Sequence, residues 1–97
     1  KRPTYLICGM LKTKDISGYL APLRAVSETL FSVSIPNEVN TLSADGTARN
    51  AAAVGFDAHS AQTVDAALHA ISMQTPQARI VICGSLYVAG MILRQNG

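Results

Sequence analysis

Two apolar segments near opposite ends of the chain share one pattern. Residues 5–11 (YLICGML) and 80–86 (IVICGSL) are both rich in aliphatic side chains, and each carries Cys-Gly at its centre. A continuous apolar run of this length predicts a strand buried on both faces, as in a parallel sheet, that passes into a loop and then a helix. Because ligands of open α/β sheets bind at the carboxyl ends of the strands, function is expected at these two Cys-Gly turns.

The first third of the chain predicts two strands joined by a helix. Residues 4–8 form the first strand and 9–14 a loop, after which Asp15 caps a helix with apolar side chains at helical spacing. Pro22 interrupts that spacing, so the helix is expected to break or to restart there. Residues 30–35 alternate apolar and small polar side chains and predict the second strand.

The middle of the chain predicts a loop and a short helix. Residues 38–46 are rich in turn formers and are expected to be a loop, in which Val39 and Leu42 pack against the core. Thr47 is expected to cap a short alanine-rich helix that Gly55 closes.

The last part of the chain predicts a stronger helix and a third strand. Residues 56–58 are expected to be a linker or a very short extended segment, and either Ser60 or Thr63 caps the helix that follows. Pro76 stops that helix, and 79–83 form the strand. A final helix is marked by apolar and small residues at helical spacing: Leu86, Ala89, Gly90 and Leu93.

This alternation of strands and helices predicts an α/β fold with a parallel sheet and helices on both faces. The chain has 97 residues, which is the size of one small domain, and 48% of them are hydrophobic, which is enough for a core without cross-links. Three strands are few for such a sheet, so one or more further strands are expected upstream of Lys1.

Charge and cysteine content exclude several classes of function. The net charge is only +2 and the basic residues are dispersed, so no nucleic-acid partner is expected. No apolar run reaches the ~18 residues of a membrane span, so no membrane partner is expected. Cys8 and Cys83 are interpreted as buried thiols, with a disulfide or metal pair as the alternative, which favours a reducing, cytoplasmic location. His59 and His69 show no metal-ligand spacing.

The loop after the first strand is one candidate binding element. Gly9 allows close approach of a ligand to the backbone, and Lys12 and Lys14 could hold a carboxylate or phosphate by charge. Asp15 would pair with a lysine or cap the following helix. The alternative is a solvated loop with a helix cap. The loop lacks the spacing of a Walker A phosphate cradle.

The turn at Gly84 and Ser85 is the second candidate. Ser85 at the start of a helix would place free backbone N–H groups, and the positive end of the helix dipole, where a carboxylate could bind. The alternative is a plain helix cap. A nucleophilic serine is not expected, because the surrounding Cys-Gly-Ser-Leu-Tyr is not a nucleophile elbow. The residues thus predict a substrate-binding or closing domain whose partner domain holds the cofactor, with no catalytic set or metal site of its own.

At these two loops the chain resembles the carboxyl-terminal domain of the folylpolyglutamate synthase/dihydrofolate synthase family, a branch of the Mur-ligase superfamily. The resemblance rests on Gly9-Met10-Leu11-Lys12-Thr13-Lys14-Asp15, which is similar to the family's G-x-x-x-D-K-D loop, and on Cys83-Gly84-Ser85-Leu86-Tyr87, which is similar to its T/C-G-S-L-Y turn. The small-residue helix, glycine turn and alanine-rich helix over 48–71 also resemble the family. Thr13 departs from it, because the family often has Asp there.

The resemblance implies a Rossmann-like three-layer domain with a mostly parallel sheet. The D-G-A-H-N segment that usually opens this domain is missing, which implies a fragment lacking the first strand and helix. Residues 1–97 would then be a single carboxyl-terminal domain of a longer enzyme.

The family's reaction is ATP-dependent amide ligation. A folate or dihydropteroate carboxylate is phosphorylated, and the amino group of L-glutamate attacks the acyl phosphate. The resemblance implies that ATP and Mg²⁺ bind mainly outside this chain. It implies that this domain closes the active site and binds the glutamate carboxylate through Ser85, assisted by Lys12 or Lys14, with Asp15 orienting the loop around Gly9. The fragment alone is expected to be inactive.

Two other interpretations stay open. One is the carboxyl-terminal domain of another Mur-type amino-acid ligase. The other is a non-catalytic ligand-sensing or protein-interaction module. If an opening strand is missing, the exposed sheet edge is expected to promote self-association.

Overall fold

A computed structural model describes residues 3–12, 15–35 and 38–84 of the chain. They form an α/β domain with four strands, which are β1 (Thr4–Gly9), β2 (Thr29–Ser32), β3 (Asp57–Ser60) and β4 (Arg79–Gly84). The helices are α1 (Ile16–Leu20), followed directly by a 3-10 helix (Ala21–Ala25), then α2 (Ala44–Ala53) and α3 (Val64–Gln74). None of these helices is long and apolar enough to cross a membrane.

The strands form one sheet in the order β3-β2-β1-β4, and every described pair is parallel. β1 lies in the interior of the sheet. Leu6 is the register partner of Leu30 on one side and of Val81 on the other. The predicted parallel α/β fold is therefore confirmed.

The core divides into two clusters, one on each face of the sheet. Alternate residues of β1 supply both clusters, with Leu6 and Cys8 on the face covered by α1 and α2, and Ile7 on the face covered by α3. Ile16 and Leu20 of α1 belong to the first cluster. The second contains three buried residues of α3: Val64, Ala67 and Ile71. Helices thus cover both faces, as the sequence predicts.

The strand count differs from the prediction, because 57–60 form a fourth strand where a linker or very short extended segment was expected. Ala58 is half-buried and packs against the core, while the other three residues of the strand are exposed, although the His59 ring stacks on the core residue Phe31. Hydrogen bonding to β2 defines β3, since its polar sequence carries no strand pattern. β2 itself ends at Ser32 and not at 35, because the Ile35 N–H leaves the sheet and donates to the Thr41 hydroxyl at 2.8 Å.

The helix starts confirm two predictions and correct one. Asp15 caps α1, and Thr63, one of the two expected residues, caps α3. Pro22 lies at the start of the 3-10 helix, so the break there is confirmed. The prediction for α2 is wrong, because the cap is Ser43, whose hydroxyl accepts from the Gly46 N–H, and Thr47 lies buried inside the helix.

Candidate functional site

The two predicted turns lie side by side at the carboxyl edge of the sheet. The chain runs from β1 to β2 and β3 in one direction, and then returns to place β4 on the other side of β1. This reversal makes the gap between β1 and β4 the topological switch point, where ligands of open α/β sheets bind. Gly9 and Gly84 are register partners at the carboxyl ends of these two strands. The topology therefore supports the position predicted for the site.

A cysteine precedes each of these glycines in its strand. Cys8 and Cys83 are also register partners, and both are buried and free. The Cys83 thiol donates to the Ile7 carbonyl oxygen with a separation of 3.7 Å. A hydrogen bond with Cys83 raises the pKa of the Cys8 thiol, and burial raises it further. The interpretation of both as buried thiols is confirmed, and Cys8 is held in its neutral form.

A short segment braces the loop that follows β1. This segment, residues 38–42, is called the strap below. Leu11 and Thr41 form an isolated antiparallel bridge. The Lys12 N–H donates to the Asn40 carbonyl and the Leu42 N–H donates to the Met10 carbonyl, both at 2.8 Å. Two backbone hydrogen bonds therefore fix residues 10–12 while the Lys12 side chain stays exposed.

One side chain of the strap joins it to the segment that follows β2. The Thr41 hydroxyl oxygen accepts from the Ile35 N–H at 2.8 Å and donates to the Leu42 carbonyl at 3.0 Å. Leu42 packs against the core, as expected, but Val39 is 88% exposed, so the expectation that it packs is wrong. Thr41 and Leu42 therefore anchor the strap, and Val39 does not.

Asp15 fixes the other end of the same loop. Its carboxylate accepts a hydrogen bond from the Gly18 N–H at 3.1 Å, which satisfies a free donor in the first turn of α1. The structure thus shows the capping role predicted for Asp15. In the described ranges, no ion pair joins Asp15 to Lys12.

The structure brings some predicted site residues together and does not reach others. Gly9 and Gly84 are neighbours across the switch point, and Lys12 and Asp15 flank one loop beside it. Lys14 and Ser85, like Thr13 and the predicted last helix, lie outside the described residues.

A polar cleft at the same edge of the sheet was not predicted from the sequence. It has a volume of about 400 Å³ and lies beyond the carboxyl ends of β2 and β3. Its lining is Ser34, Ser43, Ala44, Asp45, Ser60, Ala61 and Gln62. The Ser34 and Ser43 hydroxyl oxygens already accept backbone N–H groups of α2, at 3.1 and 3.0 Å. The sequence feature that could have indicated this cleft is the serine that follows β2, the one that precedes α2 and the one that ends β3.

A second cleft, of about 570 Å³, opens at the opposite edge of the sheet. It lies near the amino ends of β1 and β2 and includes Arg24 in its lining. The Arg24 guanidinium donates to the Ser27 carbonyl at 3.1 Å and lies 5.6 Å from the centre of the Phe56 ring. The Arg24 guanidinium thus already has partners within the domain. The carboxyl edge of the sheet is the better candidate site, because ligands of open α/β sheets bind there.

The two histidines lie away from the switch point. His59 is on β3, where Nε2 is 3.2 Å from an Asp57 carboxylate oxygen and the ring stacks on Phe31 at 5.1 Å between centroids. His69 is exposed on α3. Among the residues that the structure describes, no group of three His, Cys, Asp or Glu side chains is placed to hold a metal ion.

Comparison with known proteins defines the fold. No protein-family model matches the chain, and no curated protein matches it by sequence. Its structure is similar to E. coli FolC, solved in complex with DHPP and ADP, with a TM-score of 0.75 and 20% identity over 100% of this chain. It is also similar to Mycobacterium tuberculosis folylpolyglutamate synthase, complexed with ADP, with a TM-score of 0.73 and 18% identity over 98% of this chain.

These similarities confirm the predicted resemblance at the level of the fold. The similarity covers 98–100% of this chain, but the chain spans only 23% of the length of either solved protein. The switch point described above therefore belongs to a fold that both proteins contain.

Proposed function

We propose that residues 1–97 are the carboxyl-terminal domain of an ATP-dependent ligase of the folylpolyglutamate synthase/dihydrofolate synthase type. The parent enzyme would add L-glutamate to a folate or dihydropteroate. The observation that carries this proposal is the similarity in fold, over 98–100% of the chain, to two proteins of this kind. The sequence Cys-Gly-Ser-Leu-Tyr at 83–87 also supports it, because it is similar to the T/C-G-S-L-Y motif of that family.

The reaction proceeds in two steps. The substrate carboxylate takes the terminal phosphoryl group of ATP, giving an acyl phosphate and ADP. The glutamate amino group then attacks the acyl carbon, and phosphate leaves as the amide bond forms. We place ATP and Mg²⁺ mainly on the rest of the parent enzyme. The ADP bound in both similar structures supports nucleotide use by that enzyme.

In this proposal the domain closes the active site and helps to hold the incoming glutamate. Lys12 supplies positive charge at the carboxyl edge of the sheet, from a loop fixed by the strap on one side and by the Asp15 cap on the other. Lys14 belongs to the same loop in the sequence, and Ser85 is the next residue in the sequence after Gly84, the register partner of Gly9. These residues together would bind a glutamate carboxylate by charge and hydrogen bonding.

The proposed compartment is the cytoplasm. Both cysteines are free and lie next to each other in the sheet, which is typical of a protein kept in a reducing environment. No nucleic-acid or membrane partner is proposed.

The parent enzyme tests this proposal. ADP release should require both a folate and L-glutamate. Ser85→Ala and Lys12→Gln should each raise the KM for glutamate by about tenfold, the factor that corresponds to loss of ~1.4 kcal/mol of binding. Arg49→Gln is the matched control, because it removes one positive charge from an exposed position on α2. An enzyme that shows no folate- and glutamate-dependent ADP release would overturn the proposal, and the binding-module interpretation would replace it.

The isolated 97-residue chain provides a second test. It should not hydrolyse ATP or form the amide, because the proposal places the nucleotide and folate sites mainly elsewhere. Turnover by the isolated chain would contradict this division of labour.

A further inference from the structure

Residues 10–12, which follow β1 and include Lys12, lie outside the helices and strands, so their position depends on contacts with another segment. The strap does so through the two backbone hydrogen bonds of Lys12 and Leu42, which cross between segments about thirty residues apart in sequence. A lysine binds an anion as a point charge on a flexible stem. The position of the Lys12 backbone therefore determines the region that its ammonium group can reach.

The strap in turn depends on Thr41. Its hydroxyl group accepts a hydrogen bond from the Ile35 N–H and donates one to the Leu42 carbonyl, so one side chain ties the segment that follows β2 to the strap. Ile35 is buried, with 5% of its surface exposed. Without the hydroxyl group, the Ile35 N–H would lose its partner in a place with little access to water.

We propose that Thr41 is a positioning residue for the glutamate site, acting on Lys12 through the strap. Thr41 does not touch substrate in this proposal. Its hydroxyl group holds the strap in register with residues 10–12, and the strap holds the backbone of Lys12. The proposal rests on the proposed function, because it assigns Thr41 to the glutamate site of that ligase.

Thr41→Val in the parent enzyme tests the proposal, because valine keeps the shape of threonine and removes the hydroxyl group. The KM for glutamate should rise by about tenfold, as for a lost hydrogen bond. The KM values for ATP and folate, and kcat with saturating glutamate, should stay unchanged. Hydrogen exchange at the Lys12 amide should become faster, since its bond to the Asn40 carbonyl would open more often.

Two control variants separate positioning from general damage. Thr41→Ser keeps the hydroxyl group and should restore the KM for glutamate. Val39→Ala changes an exposed residue of the same strap and should leave all parameters unchanged. If Thr41→Val does not fold, Asn40→Gly loosens the strap backbone without touching the hydroxyl group. It should raise the same KM and speed exchange at the Lys12 amide.

The outcomes distinguish this proposal from the proposed function. If Lys12→Gln raises the KM for glutamate but Thr41→Val does not, Thr41 is not a positioning residue. A Thr41→Val enzyme in which all three KM values rise together also overturns the inference, because the effect is then general. If the unmodified enzyme shows no glutamate-dependent turnover, the proposed function itself fails, and the assignment of Thr41 to a glutamate site fails with it.

Discussion

Thr47 is buried in α2 with a hydroxyl group that makes no hydrogen bond within the described part of the chain. The residue has no exposed surface, and its Oγ1 lacks a partner. It lies four residues after Ser43, which caps the helix. Most buried polar groups in proteins are hydrogen-bonded, so this hydroxyl group is a local cost to the folded state.

Replacing Thr47 by valine should stabilise the domain. A buried hydroxyl group without a partner costs ~1–3 kcal/mol, and valine puts a methyl group in the same space. Threonine and valine have similar helix propensities, so the helix itself is little affected. We expect the free energy of unfolding to rise by about 1 kcal/mol, which corresponds to an increase in Tm of roughly 4–8 °C for a domain of this size.

Urea and thermal unfolding of the 97-residue chain, followed by circular dichroism, measure this change. Ser43→Ala is the matched control and should lower the free energy of unfolding by about 1 kcal/mol through loss of the cap. If Thr47 were the cap, as the sequence suggests, Thr47→Val would instead cost about 1 kcal/mol. A destabilised Thr47→Val variant would therefore refute the placement of this helix start and of the buried hydroxyl group.

Three further predictions concern the cap at the site, the thiol pair and the sheet edge. Asp15→Ala should lower the free energy of unfolding by about 1 kcal/mol while Asp15→Asn keeps most of it, because asparagine caps as well as aspartate; equal losses in denaturant titrations would contradict the capping role. The raised pKa of Cys8 means that the folded chain keeps a proton that an unfolded thiol releases above its ordinary pKa of 9.0. As the pH rises above that value, the free energy of unfolding should thus fall by up to about 1.4 kcal/mol per pH unit. Cys8→Ala should abolish this fall, and an unchanged slope in that variant would show that other groups cause it. In the described ranges β3 pairs only with β2 and β4 only with β1, so light scattering should show a molar mass that rises with concentration; a monomer at every concentration would contradict this.

The two most apolar strands could be predicted from the sequence because each forms a continuous apolar run. Their observed bounds lie within one residue of the predicted ones. The prediction that both strands are buried on both faces is correct for β1 but wrong for β4, which lies at the edge of the described sheet with Val81 40% exposed. β3 could not be predicted in the same way, since its three polar residues are exposed and its one apolar residue, Ala58, is only half-buried. Its hydrogen bonds to β2 make it a strand, and such pairing leaves no periodic pattern.

The start of α2 was missed because local propensity and tertiary packing disagree there. Gly46 is a poor helix former and suggests a turn, yet it lies in the first turn of α2. A Cβ atom at this position would come within 3.1 Å of the Leu42 side chain. The glycine therefore permits close packing of the strap against α2 and does not end a loop.

The candidate site, like the fold, could be predicted from the sequence only in part. The position of the two Cys-Gly turns followed from strand patterns and a general rule of α/β sheets. The strap and the role of Thr41 depend on hydrogen bonds between segments that are distant in sequence. No composition or spacing signals those bonds, because most of them involve backbone groups that every residue carries.

The strand order also sets when the switch point can form. Tyr5 pairs with Thr29, 24 residues along the chain, and with Ile80, 75 residues along. Closing the longer loop costs about 1 kcal/mol more in chain entropy than closing the shorter one. During synthesis, β1, β2 and β3 emerge and can associate before β4 is made. Gly84 reaches Gly9 only when β4 has left the ribosome, so a nascent chain carries most of the sheet but no switch point.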